Sequence, residues 1–120
     1  MPPAVFPLVI RDLLQRASTL RDEPDWEPFH PGIQIRRLYE NPETGASAVL
    51  LCYEPRTRLT AHTHLGYEHI LILDGAQADE NGSYPAGTFI VNGPHTAHLV
   101  TSDTGCVALV IRAAGVRFLS

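Results

Sequence analysis

The chain has 120 residues, 44% hydrophobic and 18% charged, which suits one soluble domain built on one core. Its formal net charge of -4 offers nucleic acid no electrostatic footing, and no apolar run is long enough to span a bilayer. The two cysteines, Cys52 and Cys106, lie in apolar stretches and read as buried thiols in a reducing, cytoplasmic compartment, not as a disulfide.

Residues 1–25 read as an N-terminal arm of the same domain. Leu8, Val9, Ile10, Leu13, Leu14 and Ala17 fit either a short amphipathic helix or a strand running into one, and the charged run Arg21-Asp22-Glu23-Pro24-Asp25 ends it. The start has no basic segment and its apolar part is broken by Pro7, so it reads as part of the fold and not as a signal peptide. Residues 26–32 read as a loop with a large apolar payload, Trp26 and Phe29, suited to sealing one end of the fold or an interface.

The rest alternates short strands with turns. Residues 33–40 and 46–53 predict a hairpin across Asn41-Pro42-Glu43-Thr44-Gly45. Strands follow at 59–64 and 68–73, the second apolar on both faces and so expected to be covered on both sides. Asp74-Gly75 predicts a turn into a short polar strand over 76–80, and Asn81-Gly82 is the strongest hairpin signal in the chain. Residues 88–91, a strand holding His98 and Val100, the apolar run 106–112 and a short tail 116–119 complete the pattern. Strands at intervals of about 8–12 residues with turns between them predict an all-β sandwich or barrel.

One stretch carries chemistry. His62 and His64 are two apart, so on a strand they point to the same side, and Glu68 follows across Leu65-Gly66-Tyr67. His98 lies after a later turn. Three imidazoles and a carboxylate suit one divalent ion, Fe, Zn, Mn or Ni, with coordination positions left open for a ligand. His69 follows Glu68 directly and alternation turns it to the opposite face. Tyr39, Tyr53, Arg37 and His95 are candidates for lining a pocket beside the site. The sequence shows no Gly-rich phosphate loop, no Ser-His-Asp order and no CxxC motif, and catalytic residues beyond the ligands are not legible.

The spacing His62-x-His64, three residues, Glu68, six residues, Gly75 resembles the first motif of the cupin superfamily, and Gly87 with His98 eleven residues on resembles the second. Trp26-x-Pro28, Pro31-Gly32, the Gly82-x-Tyr84-x-Ala86-Gly87 turn and Gly105-Cys106 are similar to the cupin half of ChrR-type anti-sigma factors, over roughly residues 26–112. The chain departs from the family pattern at Arg56, where a glycine is usual, and at Gly93 and His95 in the second motif. The resemblance implies a double-stranded β-helix, an RmlC-like jelly roll, over residues 26–120, with His62, His64, Glu68 and His98 as metal ligands. The strand 68–73, Trp26, Phe29 and the apolar arm need cover, which predicts a homodimer, and the resemblance implies that the arm packs across the partner. Two functions follow as expectations: dioxygenase-like chemistry on a small keto/enol or phenolic compound, or oxidant sensing by a ChrR-like regulatory module. A third reading is a module that holds a small ligand without turnover.

Overall fold

The computed structural model describes residues 5–119; Met1 to Ala4 at the head of the arm, and Ser120, lie outside them. A 3-10 helix (Ala17–Asp22) precedes ten strands: β1 (Glu27–His30), β2 (Ile33–Glu40), β3 (Ser47–Tyr53), β4 (Thr57–His64), β5 (Glu68–Asp79), β6 (Gly82–Pro85), β7 (Phe89–Asn92), β8 (Ala97–Ser102), β9 (Cys106–Arg112) and β10 (Val116–Phe118). All pairs are antiparallel, in the order β1-β2-β3-β9-β5-β8-β4-β10, with β6 and β7 added on β5. The sheet curls into the all-β cupin jelly roll that the motifs implied.

The long strand β5 ties the two halves together. Its first part pairs with β7 and β9, its last part with β6 and β8. Asp74-Gly75 is therefore not the expected turn. The ladder to β9 runs on through Asp74↔Val107 and Gly75↔Cys106, and the extra residue is absorbed as a bulge after Ile72. Gly75 has φ 72°, and a Cβ there would stand 2.0 Å from the carbonyl oxygen of Gly105. A glycine that reads as a turn in sequence here lets two backbones approach within a continuing strand.

Residues 26–32 also differ from the expected loop. Glu27–His30 pairs with β2 across a turn at Pro31-Gly32, and Pro28 is tolerated because β1 is an edge strand. Phe29 packs on the barrel interior. Trp26 goes elsewhere: its indole donates to the carbonyl of Leu20, 3.0 Å away, and its ring lies under the Arg36 guanidinium at 4.6 Å.

The interior is filled by inward side chains of facing strands, among them Ile33, Ile35, Val49, Leu51, Leu59, Ile70, Ile72, Val100 and Val110. A second cluster lies on the outer face of the sheet, where Ala17 and Leu20 of the 3-10 helix cover Leu50, Cys52, Leu73 and Val107. The outward apolar side of β5 is thus covered in part by the chain's own arm. Fully burying Leu20 contributes on the order of 2 kcal/mol. Val5, Phe6, Leu8, Val9 and Leu14 of the arm remain exposed. The two thiols are free and buried, Cys52 in the outer cluster and Cys106 in the interior.

Candidate metal centre

His62 and His64 arrive on β4 by way of an irregularity. Leu59 pairs with Val100 and His62 pairs with His98, so one extra residue sits on β4 between them. Plain alternation from the inward Leu59 would aim His62 outward; the bulge turns it in. His98 faces it from β8. The three imidazole rings stack edge to face, with centroids 4.6 Å apart for His62–His98 and His64–His98 and 5.2 Å apart for His62–His64. One ligand atom from each lies within 4.8 Å of the others, and all three residues are buried.

Hydrogen bonding fixes the tautomers. His62 Nδ1 is 3.0 Å from the carbonyl of Thr60, an acceptor only, so Nδ1 carries the proton. His98 Nδ1 is 3.3 Å from Asp79 Oδ2, a carboxylate, with the same consequence. His64 Nδ1 is 3.0 Å from Thr96 Oγ1, whose own proton goes to the carbonyl of Gly93 at 2.6 Å; the hydroxyl accepts from His64. In each neutral ring Nε2 is left with a lone pair. Those of His62 and His98 stand 3.0 Å apart, and His64 Nε2, fully buried and without a hydrogen-bond partner among the described residues, stands 3.0 Å from Glu68 Oε1. Acceptors crowded together away from water need a cation among them. The outer groups that orient the rings (a backbone carbonyl, a carboxylate and a hydroxyl) are those that hold ligating histidines. The set therefore fits a divalent ion.

Glu68 is held to one side. It opens β5 directly opposite Asn92 on β7 and Arg112 on β9. Arg112 Nε donates to Oε2 at 2.7 Å and Asn92 Nδ2 donates to Oε1 at 3.1 Å. Burial alone would raise the Glu68 pKa, but the Arg112 guanidinium bonded to it holds the carboxyl below the usual carboxylate range. Burial pushes the His62 pKa down to about 4, so this ring is neutral and free to ligate near pH 7. Burial pushes the Cys106 thiol up to about 12 and raises Cys52 as well, so neither offers a thiolate.

The other candidates scatter. Tyr53 lines a cavity of about 10 Å³ beside His62, Glu68 and His98. Arg37 lines a separate cleft, where it pairs with Glu27 and Glu40. Tyr39 is exposed on β2. His95 is exposed in the loop before β8, and its backbone N–H donates to the carbonyl of His64 at 2.8 Å. His69 lies on the outer face, stacked on Phe89. Arg112, Asn92, Thr96 and Asp79 escaped the sequence reading. They sit on strands or loops whose register to the histidines is not visible before folding; only the run-in of an arginine at the end of the apolar strand 106–112 could have drawn attention.

Residues 14–114 match the family model for the ChrR cupin-like domain. Solved structures resemble the chain at low identity. An RmlC-like cupin protein from Ralstonia eutropha superposes with a TM-score of 0.73 at 19% identity, over 79% of this chain and 66% of that one. An acetylacetone dioxygenase from Acinetobacter johnsonii gives 0.77 at 14% identity, over 100% of this chain and 81% of that one. The Rhodobacter sphaeroides SigE complex with the anti-sigma ChrR gives 0.67 at 20% identity, over 93% of this chain and 70% of that one. The chain thus spans just under two thirds of the Ralstonia protein's length. No curated protein matches.

Proposed function

The chain belongs to the family of ChrR cupin-like domains, and we propose that it is a metal-dependent, dioxygenase-like enzyme acting on a small keto/enol or phenolic compound. The observation that carries the reading is the convergence of three buried Nε2 lone pairs while Glu68, the fourth expected ligand, is bonded to Arg112 and Asn92. A ligand set with a carboxylate drawn aside leaves positions open, as catalytic sites do and closed structural sites do not. A bound redox metal such as iron would supply the electron transfer that dioxygen chemistry needs. The protein's part is to fix three neutral imidazoles through Thr60, Thr96 and Asp79, to exclude water with the apolar interior, and to hold Glu68 ionised beside the site through Arg112. Tyr53 is buried beside His62 and His98 in a cavity of about 10 Å³. The class of chemistry is suggested by the likeness to the acetylacetone dioxygenase, and the substrate is proposed on that ground.

The second reading is an oxidant-sensing cupin, favoured by the ChrR family description itself. Sensing through a thiol requires a reactive one, and both are buried with raised pKa values. The two readings separate on oxygen uptake by iron-loaded protein against a panel of β-diketones and phenolic ketones. Turnover lost in His64→Ala supports the enzyme. Absence of uptake on every compound, with peroxide-driven metal release that Cys52→Ser blocks, would replace it with the sensor.

A further inference from the structure

The cavity beside His62 and His98, about 10 Å³, holds no more than one water. An organic ligand must be seated elsewhere. On the other side of Arg112 lies a cleft of about 220 Å³ between the end of the β2–β3 hairpin and Gly115. Phe29, Ile35 and Val49 form its apolar wall, and Arg37, Glu40, Asn41, Ser47 and Arg112 contribute polar groups. Arg112 lines both spaces.

Charge distinguishes the two arginines. Arg37 is spoken for by Glu27 and Glu40. Arg112 is 13% exposed at its side chain and hydrogen-bonds through Nε, to Glu68, which leaves its two terminal nitrogens without a hydrogen bond among the described residues. The terminal N–H groups of Arg112, largely withdrawn from water, are donors that an oxygen-bearing ligand would satisfy, while the Glu40 carboxylate that also lines the cleft is held by Arg37.

We propose that this cleft is the seat of the organic ligand and takes a small, planar, resonance-delocalised oxygen monoanion. Its oxygens lie on the terminal nitrogens of Arg112 and its carbon body rests on Phe29, Ile35 and Val49. A planar guanidinium fork suits such an anion better than a point charge does. The inference deepens the reading of His62, His64 and His98 as a metal site and rests on it.

The test is calorimetric titration of zinc-loaded protein with benzoate and with its neutral isostere benzamide, zinc content being measured on the same samples. Benzoate is expected to bind at least roughly tenfold tighter than benzamide, the value of a charge-assisted hydrogen bond. Ser47, paired with Arg112 across β3 and β9, lines the cleft away from the histidines. Ser47→Trp should fill it and weaken benzoate by roughly tenfold or more with zinc retained. Arg112→Met should weaken benzoate as much, and Arg112→Lys should restore part of the loss. Benzoate binding no tighter than benzamide, or not at all, overturns the proposal, as does wild-type affinity in zinc-retaining Ser47→Trp. Zinc bound without benzoate sinks the cleft and keeps the metal site. Benzoate bound through Arg112 by protein that takes up no zinc does the reverse.

Discussion

His62 and His98, directly opposite on β4 and β8, bring their Nε2 atoms within 3.0 Å of each other, both as lone-pair donors. In water two such nitrogens would each be solvated. Here both residues are buried, at 1% and 5% exposure, and a cation is what makes the pairing favourable. Removing either ring is expected to reduce affinity for zinc by at least roughly 100-fold, while His69→Ala and His95→Ala, which leave the cluster intact, keep it. Competition with a chelating dye measures this.

Glu68→Gln keeps the shape and removes the charge that Arg112 is bonded to. Breaking a buried pair by neutralising one partner costs about 3–5 kcal/mol where both are enclosed, and the partial exposure of Arg112 places the expected loss at the lower end. Urea unfolding of metal-free protein reads it. The variant is expected to fold, to bind metal more weakly and to lose turnover.

Acid should destabilise the metal-free protein. His62 has a folded pKa of about 4 against 6.5 in the open chain, so the unfolded state binds the proton first as pH falls. Its contribution is unfavourable to folding from about pH 6.5 downward and reaches its full cost near pH 4. Glu68, held below its usual value, adds stability above pH 4.5 that is lost on further acidification. Both act in the same direction, so the urea midpoint should fall steadily below pH 6.5, and more gently in His62→Gln. A midpoint flat from pH 7 to pH 4.5 would contradict this.

Much of this was open to inspection in the sequence, and what was hidden has specific causes. The strands β2, β3 and β9 follow directly from their apolar runs and turn residues. The spacing of His62, His64 and Glu68 named a site on one sheet edge. Alternation alone could not say that a bulge between Leu59 and His62 turns the ring inward, because a bulge is a property of the paired ladder. Gly75 read as a turn because local chemistry does not reveal that Gly105 approaches it. The partner of Glu68, Arg112, lies 44 positions away and is brought opposite by the β5–β9 register. The arm was ambiguous for a different reason: its 3-10 turns have little stability apart from the sheet face that Leu20 covers.

A homodimer is expected from the outer sheet face. Val91, His69 and Ile111 stand in one row across β7, β5 and β9, with Phe89, Leu71 and Leu109 in the next. Phe89, Val91 and Ile111 are 60%, 52% and 38% exposed, a patch beside the apolar arm. Two-fold pairing would cover it. Sedimentation equilibrium at micromolar concentration should give a dimer for the wild type and a shift toward monomer for Val91→Glu. A wild-type monomer refutes the expectation.

His62, His64 and His98 are expected to hold one divalent ion. The most direct test is elemental analysis of protein purified without a chelating tag, beside the His62→Ala, His64→Ala double variant with its fold checked by circular dichroism. About one divalent ion per wild-type chain is expected, and close to none in the folded double variant. Equal metal content in the two proteins, or a wild type that takes up no divalent ion when offered iron, zinc, manganese and nickel, would contradict it.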